Sequence, residues 1–306
     1  MDAKSTVLPT ATSDISQANA DLDQFGYAIL ADVVTSSGLE VLRKRLIEQA
    51  HAERLAGIAL LNDENDKPLP KETIQTVDPV LIPRQIVMML YNKGEPFREI
   101  AHDPNLLACV RHVLGGREFN LSGLAAQITN LGRTAQKLHT DQDQLPFDPS
   151  KVYVANILVM VSDFTEANGA TIVVPGSHRW PRPPWSRSPN TAPDYPFRNG
   201  GMPAIAMDSV AVEGKAGSAL ILDGRLWHGA GAHVAPGVPR HAISCSYILP
   251  FLRQYENLPA NVMPEIFKAL SDEERCLLGY AGARGSMGYV EPAAARIGES
   301  TPIGLI

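Results

Sequence analysis

The sequence predicts a mainly β domain, a sandwich or a barrel, with helices beside it. Six short runs rich in strand-forming residues are separated by loops rich in glycine and proline. These runs cover residues 121–130, 152–161, 170–174, 204–212, 218–222 and 241–249. Glycine and proline number 24 each among 306 residues, which favours turns and short strands over long helices. Because most of the runs follow one another without helices between them, βαβ units are not expected.

The individual elements are predicted from local signals in chain order. Residues 25–30 form an apolar run that predicts a first strand. Three helices are predicted where an N-capping signature opens an amphipathic segment: Ser37 with Glu40, Asp103 with Pro104, and Ser271 with Glu274. The first two of these helices precede the six strand runs. Helices and strands are therefore expected to be largely segregated along the chain.

Four segments lie outside this regular pattern. Residues 1–20 are small and polar, which predicts a flexible N-terminal arm. Residues 179–201 form a long loop rich in proline, and loops of this length in compact domains are usually functional or disordered. This loop and residues 58–83 are candidate lids over a site. Residues 291–306 are predicted to be a C-terminal tail.

The composition excludes several classes of function. Lys and Arg number 27 against 33 Asp and Glu, a formal charge of −6, so no basic surface for nucleic acid is expected. Neither a signal-peptide pattern nor an apolar run long enough to span a membrane is present. The three cysteines, Cys109, Cys245 and Cys276, include no CxxC pair, which argues against disulfides and structural zinc. We expect a cytoplasmic protein that binds neither nucleic acid nor membrane.

The histidines indicate the chemistry. His139 and Asp141 stand two positions apart in an extended segment, so their side chains are expected to point to the same side. A third metal ligand must come from elsewhere, and the candidates are His178, His228, His233 and His241. His228 is favoured because it follows an apolar strand and stands beside glycines. Two imidazoles and one carboxylate would form a facial triad with three open positions, which is typical of non-haem Fe(II) oxygenases.

Arg240 is a candidate anion-binding residue. A chelating oxo-acid would take two of the open metal positions and leave one for O2. An oxo-acid with a second carboxylate also needs a cation at the far end of its pocket. Arg240 stands at the start of the last predicted strand, twelve residues after His228, and a guanidinium binds a carboxylate through two parallel hydrogen bonds.

Four blocks of sequence carry a resemblance to a known family. They are His139-Thr-Asp141, Asn168-Gly-Ala-Thr171-Ile-Val-Val-Pro-Gly-Ser-His178-Arg, Trp227-His228-Gly-Ala-Gly and Arg240-His-Ala-Ile-Ser. In order and spacing these blocks resemble the phytanoyl-CoA dioxygenase-like Fe(II)/2-oxoglutarate oxygenases, and the similarity covers most of residues 22–257. The resemblance implies a double-stranded β-helix, the cupin-like jelly roll, in a single domain over residues 21–290 with helices packed outside it.

The resemblance also implies roles for individual residues. His139, Asp141 and His228 fall on the iron ligands, and Arg240 falls on the residue that binds the distal carboxylate of 2-oxoglutarate. Further cosubstrate contacts are implied for Thr171, Gln136, Gln127 and Arg84. Two residues of the second block, Ser177 and His178, are expected to stabilise a loop rather than to bind metal. The carboxylate at position 141 argues against the halogenating relatives, in which that position is small.

The implied activity is that of a dioxygenase that uses Fe(II), 2-oxoglutarate and O2, oxidises a C–H bond, and releases succinate and CO2. Hydroxylation is the usual outcome, and desaturation, epoxidation and rearrangement stay open. Natural-product tailoring relatives favour a small hydrophobic metabolite as the substrate, and no cluster of Lys and Arg suited to the phosphates of coenzyme A is evident. A homodimer is compatible with the resemblance.

Two alternatives from other classes are open. A jelly-roll isomerase or lyase would use the same triad for Lewis-acid chemistry without 2-oxoglutarate, and it would keep its activity without oxygen. A non-enzymatic binding module would have lost the reaction. The intact triad together with Arg240 speaks against the binding module, because a decayed site need not keep all four residues.

Overall fold

The computed structural model describes residues 7–70, 72, 74, 78, 81–142, 145, 148, 150–180, 208–237 and 239–280. In these residues the strands are β1 Tyr27–Leu30, β2 Leu60–Asn62, β3 Arg84–Val87, β4 Asn120–Thr129, β5 Val154–Met160, β6 Thr171–Val173, β7 Val210–Ala211, β8 Ala219–Asp223, β9 His228–Ala230 and β10 Arg240–Ile248. The helices are α1 Ile15–Phe25, α2 Ser36–Leu55, α3 Glu95–Ala101, α4 Pro104–Val113, α5 Leu258–Asn261, α6 Pro264–Ala269 and α7 Asp272–Leu277.

The strands form two antiparallel sheets. The large sheet has the order β1-β8-β5-β10-β4-β3-β2, and the small sheet has the order β7-β6-β9. Several neighbouring strands are far apart in the chain, as in β1 with β8, β10 with β4, and β6 with β9. Such long-range antiparallel pairing is typical of a jelly roll. The predicted mainly β class is confirmed, whereas β2, β3 and β9 were not among the predicted strands.

Most helices begin where a side chain caps them. Asp103 accepts hydrogen bonds from the backbone amides of Asn105 and Leu106, and Ser271 and Glu274 form the predicted capping box. For α2 the prediction of a Ser37 and Glu40 box is wrong. The N-cap is Thr35, so this helix begins two residues earlier than predicted, and the hydroxyl of Thr35 accepts from the amide of Gly38 at 3.2 Å. Three adjacent hydroxyl residues, 35–37, can each act as the cap, so the sequence alone did not locate the first turn.

Helix α1 shortens the predicted N-terminal arm. Asp14 accepts a hydrogen bond from the amide of Ser16 at 2.8 Å, and Ala18, Leu22 and Phe25 are buried at helical spacing. Residues 15–20 therefore belong to a packed helix, and the arm predicted over residues 1–20 is wrong for them. The single domain over residues 21–290 stays a prediction.

Two apolar layers flank the large sheet. Its outer face packs against the helices, with Leu46 of α2 and Leu106 of α4 in the same cluster as Ile157 and Cys245. Its inner face forms a second cluster with side chains of the small sheet. Because side chains alternate along a strand, Arg240, Ala242, Ser244 and Ser246 of β10 lie on the inner face. The site therefore develops on the inner face, between the two sheets.

Some expectations concern segments that are described only in part. Of the candidate lid 179–201, Arg179 and Trp180 belong to the described residues, and the rest lies outside them, as does the predicted tail 291–306. No helix in the described ranges is long and apolar enough to cross a membrane. The three cysteines are free thiols, and Cys109 and Cys245 are buried.

Candidate metal centre

His139 and His228 are held side by side by a pair of backbone hydrogen bonds. The amide of His139 donates to the carbonyl of His228 at 2.8 Å, and the amide of His228 donates back at 2.9 Å. Residues paired in this way present their side chains on the same face. The two ring centroids are 4.7 Å apart. This pairing brings together the two histidines that the sequence analysis favoured as metal ligands.

Both imidazoles are oriented with one nitrogen toward Asp141. The Nδ1 atom of His139 lies 3.0 Å from the carbonyl oxygen of Lys137, and Nδ1 of His228 lies 3.0 Å from that of Leu226. A carbonyl only accepts, so each Nδ1 carries a hydrogen, and in the neutral imidazole it is Nε2 that has the lone pair available to a metal. This is the orientation that metal-bound histidines commonly adopt.

The carboxylate completes the group. Nε2 of His139 is 3.8 Å from Oδ1 of Asp141, and Nε2 of His228 is 3.3 Å from Oδ2. One ligand atom from each of the three residues lies within 4.8 Å of the others, and within the described ranges no other group of three or more such side chains does so. Three ligands on one side leave the remaining positions of an octahedral ion open, as a non-haem iron centre requires. The residues therefore fit Fe(II).

The other candidate histidines have different surroundings. His178 is buried against Gly26, and burial lowers the pKa of its imidazole. Burial, with the nearby charge of Arg43 as the smaller cause, lowers the pKa of His241 to about 4. His233 is also buried. The hydroxyl of Ser177 accepts from the amide of Trp227 at 3.0 Å. The contacts of Ser177 and His178 agree with the predicted loop-stabilising role.

Arg240 is a buried cation on the inner face of the large sheet. Its side chain donates to the carbonyl of Gly169 and to the hydroxyl of Thr129, and its guanidinium lies 4.9 Å from the ring centroid of Phe164. The residue is 3% exposed, its Nε has no hydrogen-bond partner, and it forms no ion pair with a described carboxylate. Burial, and then repulsion by Arg133 and Arg84, lowers its pKa to about 9. An anion placed here would relieve that unfavourable charge.

Two further arginines lie near Arg240 and share one carboxylate. Arg84 of β3 and Arg240 of β10 lie on either side of Thr129 of β4, each in register with it. Arg84 donates to the carboxylate of Asp66 at 2.8 Å. Arg133 donates to the same carboxylate at 2.5 Å and is 1% exposed. These guanidiniums hold the pKa of Asp66 below its usual range, although burial acts in the opposite direction. Among the described residues, three arginines thus stand against one shared carboxylate, a local excess of positive charge that the global charge did not reveal.

Of the remaining predicted cosubstrate residues, one lies on the inner face of the large sheet and two lie on or beside the small sheet. Gln127 lies on the inner face of β4, in register with Ala242 and two residues before Thr129. Thr171 is buried at the start of β6. Gln136 uses its side-chain oxygen to accept from the amide of Ala230 at 3.2 Å, which supports β9. Arg133 and Asp66 were missed by sequence reasoning, because neither stands in a motif.

Comparison with curated proteins finds relatives among fungal dioxygenases. The chain is 26% identical over 283 residues to dioxygenase af480 of Aspergillus fumigatus, an alignment that covers 91% of this chain and 80% of that protein. It is 30% identical over 154 residues to the multifunctional dioxygenase ausE of Emericella nidulans, covering 49% and 48% respectively. The second similarity thus spans about half of each chain.

Comparison with solved structures supports the fold. The non-heme alpha ketoglutarate dependent carbocyclase SnoK from nogalamycin biosynthesis superposes with a TM-score of 0.60 and 17% identity, covering 86% of this chain and 94% of that one. HygX from Streptomyces hygroscopicus, solved with nickel and 2-oxoglutarate, superposes with a TM-score of 0.54 and 19% identity, covering 78% of this chain and 89% of HygX.

The family model for phytanoyl-CoA dioxygenase (PhyH) matches residues 22–242 of this chain, a range that contains the three clustered side chains and Arg240. The chain therefore belongs to the phytanoyl-CoA dioxygenase (PhyH) family.

Proposed function

We propose that this protein is an Fe(II)/2-oxoglutarate-dependent dioxygenase that oxidises a C–H bond of a small metabolite, with release of succinate and CO2. The observation that carries the proposal is that the histidine pair of the small sheet and Arg240 of the large sheet both lie on the faces that the two sheets turn toward each other. One site is a triad in which both Nε2 atoms are directed at Asp141, and the other is a buried arginine with no carboxylate partner among the described residues. A dicarboxylate such as 2-oxoglutarate uses both sites, because it chelates a metal at one end and presents a carboxylate to the arginine at the other.

The residues divide the binding work as follows. His139, Asp141 and His228 would hold the iron, and Arg240 would bind the distal carboxylate of 2-oxoglutarate. When bound, the iron and 2-oxoglutarate supply the oxidant by reaction with O2. Thr129 and Phe164 fix the guanidinium of Arg240 in place, so the carboxylate meets a positioned cation. Among the other predicted contacts, Gln127 and Arg84 share this face, and contacts from Thr171 and Gln136 remain part of the proposal.

The protein also controls the surroundings of the reaction. Nδ1 of each ligand histidine is tied to a backbone carbonyl, so neither ring needs to reorient when a metal binds. The apolar inner cluster, which includes Met160, Phe164 and Leu222, lies between the sheets and would shield a bound substrate from water. Positioning a target carbon and excluding water are the protein's expected contributions to such chemistry.

The proposed substrate is a small hydrophobic metabolite of secondary metabolism. A metabolite of this kind is supported by the similarity to fungal dioxygenases and to three solved proteins: SnoK from nogalamycin biosynthesis, SnoN in complex with nogalamycin RO, and HygX with hygromycin B bound. Cytoplasmic location and a homodimeric state belong to the same proposal and rest on the sequence alone. Hydroxylation is the proposed outcome, since hydroxyl transfer is the usual result of this chemistry.

The direct test is succinate release from 2-oxoglutarate with Fe(II) and O2, measured across a panel of metabolites and also without added substrate. We expect release that requires iron and is lost in His139→Ala. His112→Ala is the matched control, because His112 is a partly exposed histidine paired with Asp23 outside the site. Turnover of a panel substrate without 2-oxoglutarate or under anaerobic conditions would instead support the isomerase or lyase alternative.

A further inference from the structure

Asn156 contacts the carboxylate of the candidate metal triad. It lies on the inner face of β5, opposite Ser246 of β10 and Leu222 of β8. Its side-chain nitrogen Nδ2 donates a hydrogen bond to Oδ2 of Asp141. An ionised carboxylate only accepts, so the amide nitrogen and not the amide oxygen faces Asp141. Nothing in the sequence motif around His139 points to this residue.

The orientation of the Asp141 side chain depends mainly on its hydrogen bond from Asn156, whereas each histidine is oriented by two contacts. Each histidine is fixed by the shared backbone pairing and by its own Nδ1 contact. Asp141 lies in the turn that follows, and among the described residues Asn156 is the side chain that contacts its carboxylate apart from the two histidines. A carboxylate without such a partner can rotate about its terminal bond, because that torsion is broad.

The contact also joins the two halves of the site. The pairing of His139 with His228 extends the small sheet at β9, whereas Asn156 belongs to β5 of the large sheet. Arg240 stands on β10, the strand next to β5. The hydrogen bond from Asn156 therefore links the triad to the sheet that carries the anion-binding arginine.

We propose that Asn156 is a positioning residue for the metal centre. It occupies Oδ2 of Asp141 and leaves Oδ1 as the ready ligand atom, which favours a carboxylate that binds through one oxygen and keeps the other coordination positions open. This inference rests on the proposed function, because it assumes that the triad binds a metal. Loss of an outer contact to a metal ligand typically lowers metal affinity about 10- to 100-fold.

The experiment is a Co(II) titration of the metal-free protein, followed by visible absorption, which reports both affinity and coordination geometry. Two variants remove the donor: Asn156→Ala, and Asn156→Leu, which keeps the branched shape and the number of side-chain heavy atoms. The matched control is Asn19→Ala, the same change at a half-buried asparagine of α1 whose Oδ1 also lacks a partner. Thermal unfolding of each metal-free protein shows whether a variant has lost its fold.

We expect both Asn156 variants to bind Co(II) about 10- to 100-fold more weakly than wild type, with an altered visible spectrum, and Asn19→Ala to bind as wild type does. Co(II) affinity and spectrum unchanged in folded Asn156→Leu would overturn the inference while leaving the metal centre intact. A weakening that appears equally in Asn19→Ala would also overturn it. Failure of wild type to bind Co(II) would contradict the metal centre itself and with it the proposed function.

Discussion

Replacing Arg240 by methionine should separate protein stability from cosubstrate binding. Arg240 is 3% exposed, and its charge faces no carboxylate within the described part of the chain. Arg240→Met removes the charge but keeps a long, flexible side chain that can fill the space. We expect the metal-free, ligand-free protein to keep its stability and the variant to lose most of its affinity for 2-oxoglutarate.

The expected stability follows from opposing contributions of similar size. The pKa of Arg240, about 9, lies well below that of a free guanidinium, which corresponds to a cost of about 5 kcal/mol for holding the charge in the empty site. Against this stand the hydrogen bonds to Gly169 and Thr129, worth about 1.5–3 kcal/mol each, and the contact with Phe164, worth about 1 kcal/mol. The free energy of unfolding should therefore change by less than about 2 kcal/mol.

The effect on binding should be much larger. Truncating one partner of a buried, hydrogen-bonded charge pair costs about 2–5 kcal/mol, which is roughly 30-fold to several thousand-fold in affinity. Calorimetric titration of Co(II)-loaded protein with 2-oxoglutarate under nitrogen measures this change. Titration with 2-oxobutanoate, which lacks the distal carboxylate, is the control and should be nearly unaffected. An equal loss for both ligands, or unchanged affinity for 2-oxoglutarate, would refute the assignment of Arg240.

Three other perturbations have defined outcomes. Because the pKa of His241 is lowered from 6.5 to about 4, the unfolded chain binds more protons between these values, and wild type should lose about 3 kcal/mol of stability on acidification through this range. His241→Gln should keep this part of its stability over the same pH range, as measured by the free energy of urea unfolding at several pH values. Identical dependence of that free energy on pH in the two proteins would contradict the prediction. Asp66→Ala leaves Arg133 buried without its carboxylate and should lower the free energy of unfolding by about 3 kcal/mol, against less than about 1 kcal/mol for the exposed pair member Asp272→Ala. Comparable losses in the two variants would argue against a buried pair. Gly229→Ala places a Cβ 3.0 Å from a backbone oxygen of the loop before the first histidine ligand, and Co(II) titration should show at least about tenfold weaker binding. Wild-type affinity in that variant would show that the loop can give way.

The sequence was sufficient for the triad because short-range geometry determines most of it. His139 and Asp141 stand two positions apart, and their side chains meet although Asp141 lies in a turn and not in the predicted extended segment; His228 follows an apolar strand and stands beside glycine. Gly229 lets the two backbones meet, since a Cβ there would lie 3.0 Å from a carbonyl oxygen of Gln136. The sequence also placed Arg240 as the first residue of a strand, and the structure buries it at the start of β10, whereas its role in cosubstrate binding stays a prediction.

The parts that could not be predicted depend on how segments distant in the chain pack against one another. Asp66 and Arg133 are separated by 67 positions, and neither stands in a motif. Asn156 interrupts an apolar strand, and only the position of β5 beside the turn at Asp141 gives it a partner. The start of α1 was missed because a single N-cap, Asp14, stands in a polar stretch that also reads as an arm.

The most direct test of the central claim is the anaerobic addition of 2-oxoglutarate to the Fe(II)-loaded protein, followed by visible absorption. Chelation of Fe(II) by the 2-oxo acid gives a weak metal-to-ligand charge-transfer band. We predict that the band develops to one equivalent of iron per chain in wild type and is absent in His139→Ala, with His112→Ala as the histidine control. Wild-type protein that shows no such band with saturating iron and 2-oxoglutarate would contradict the account.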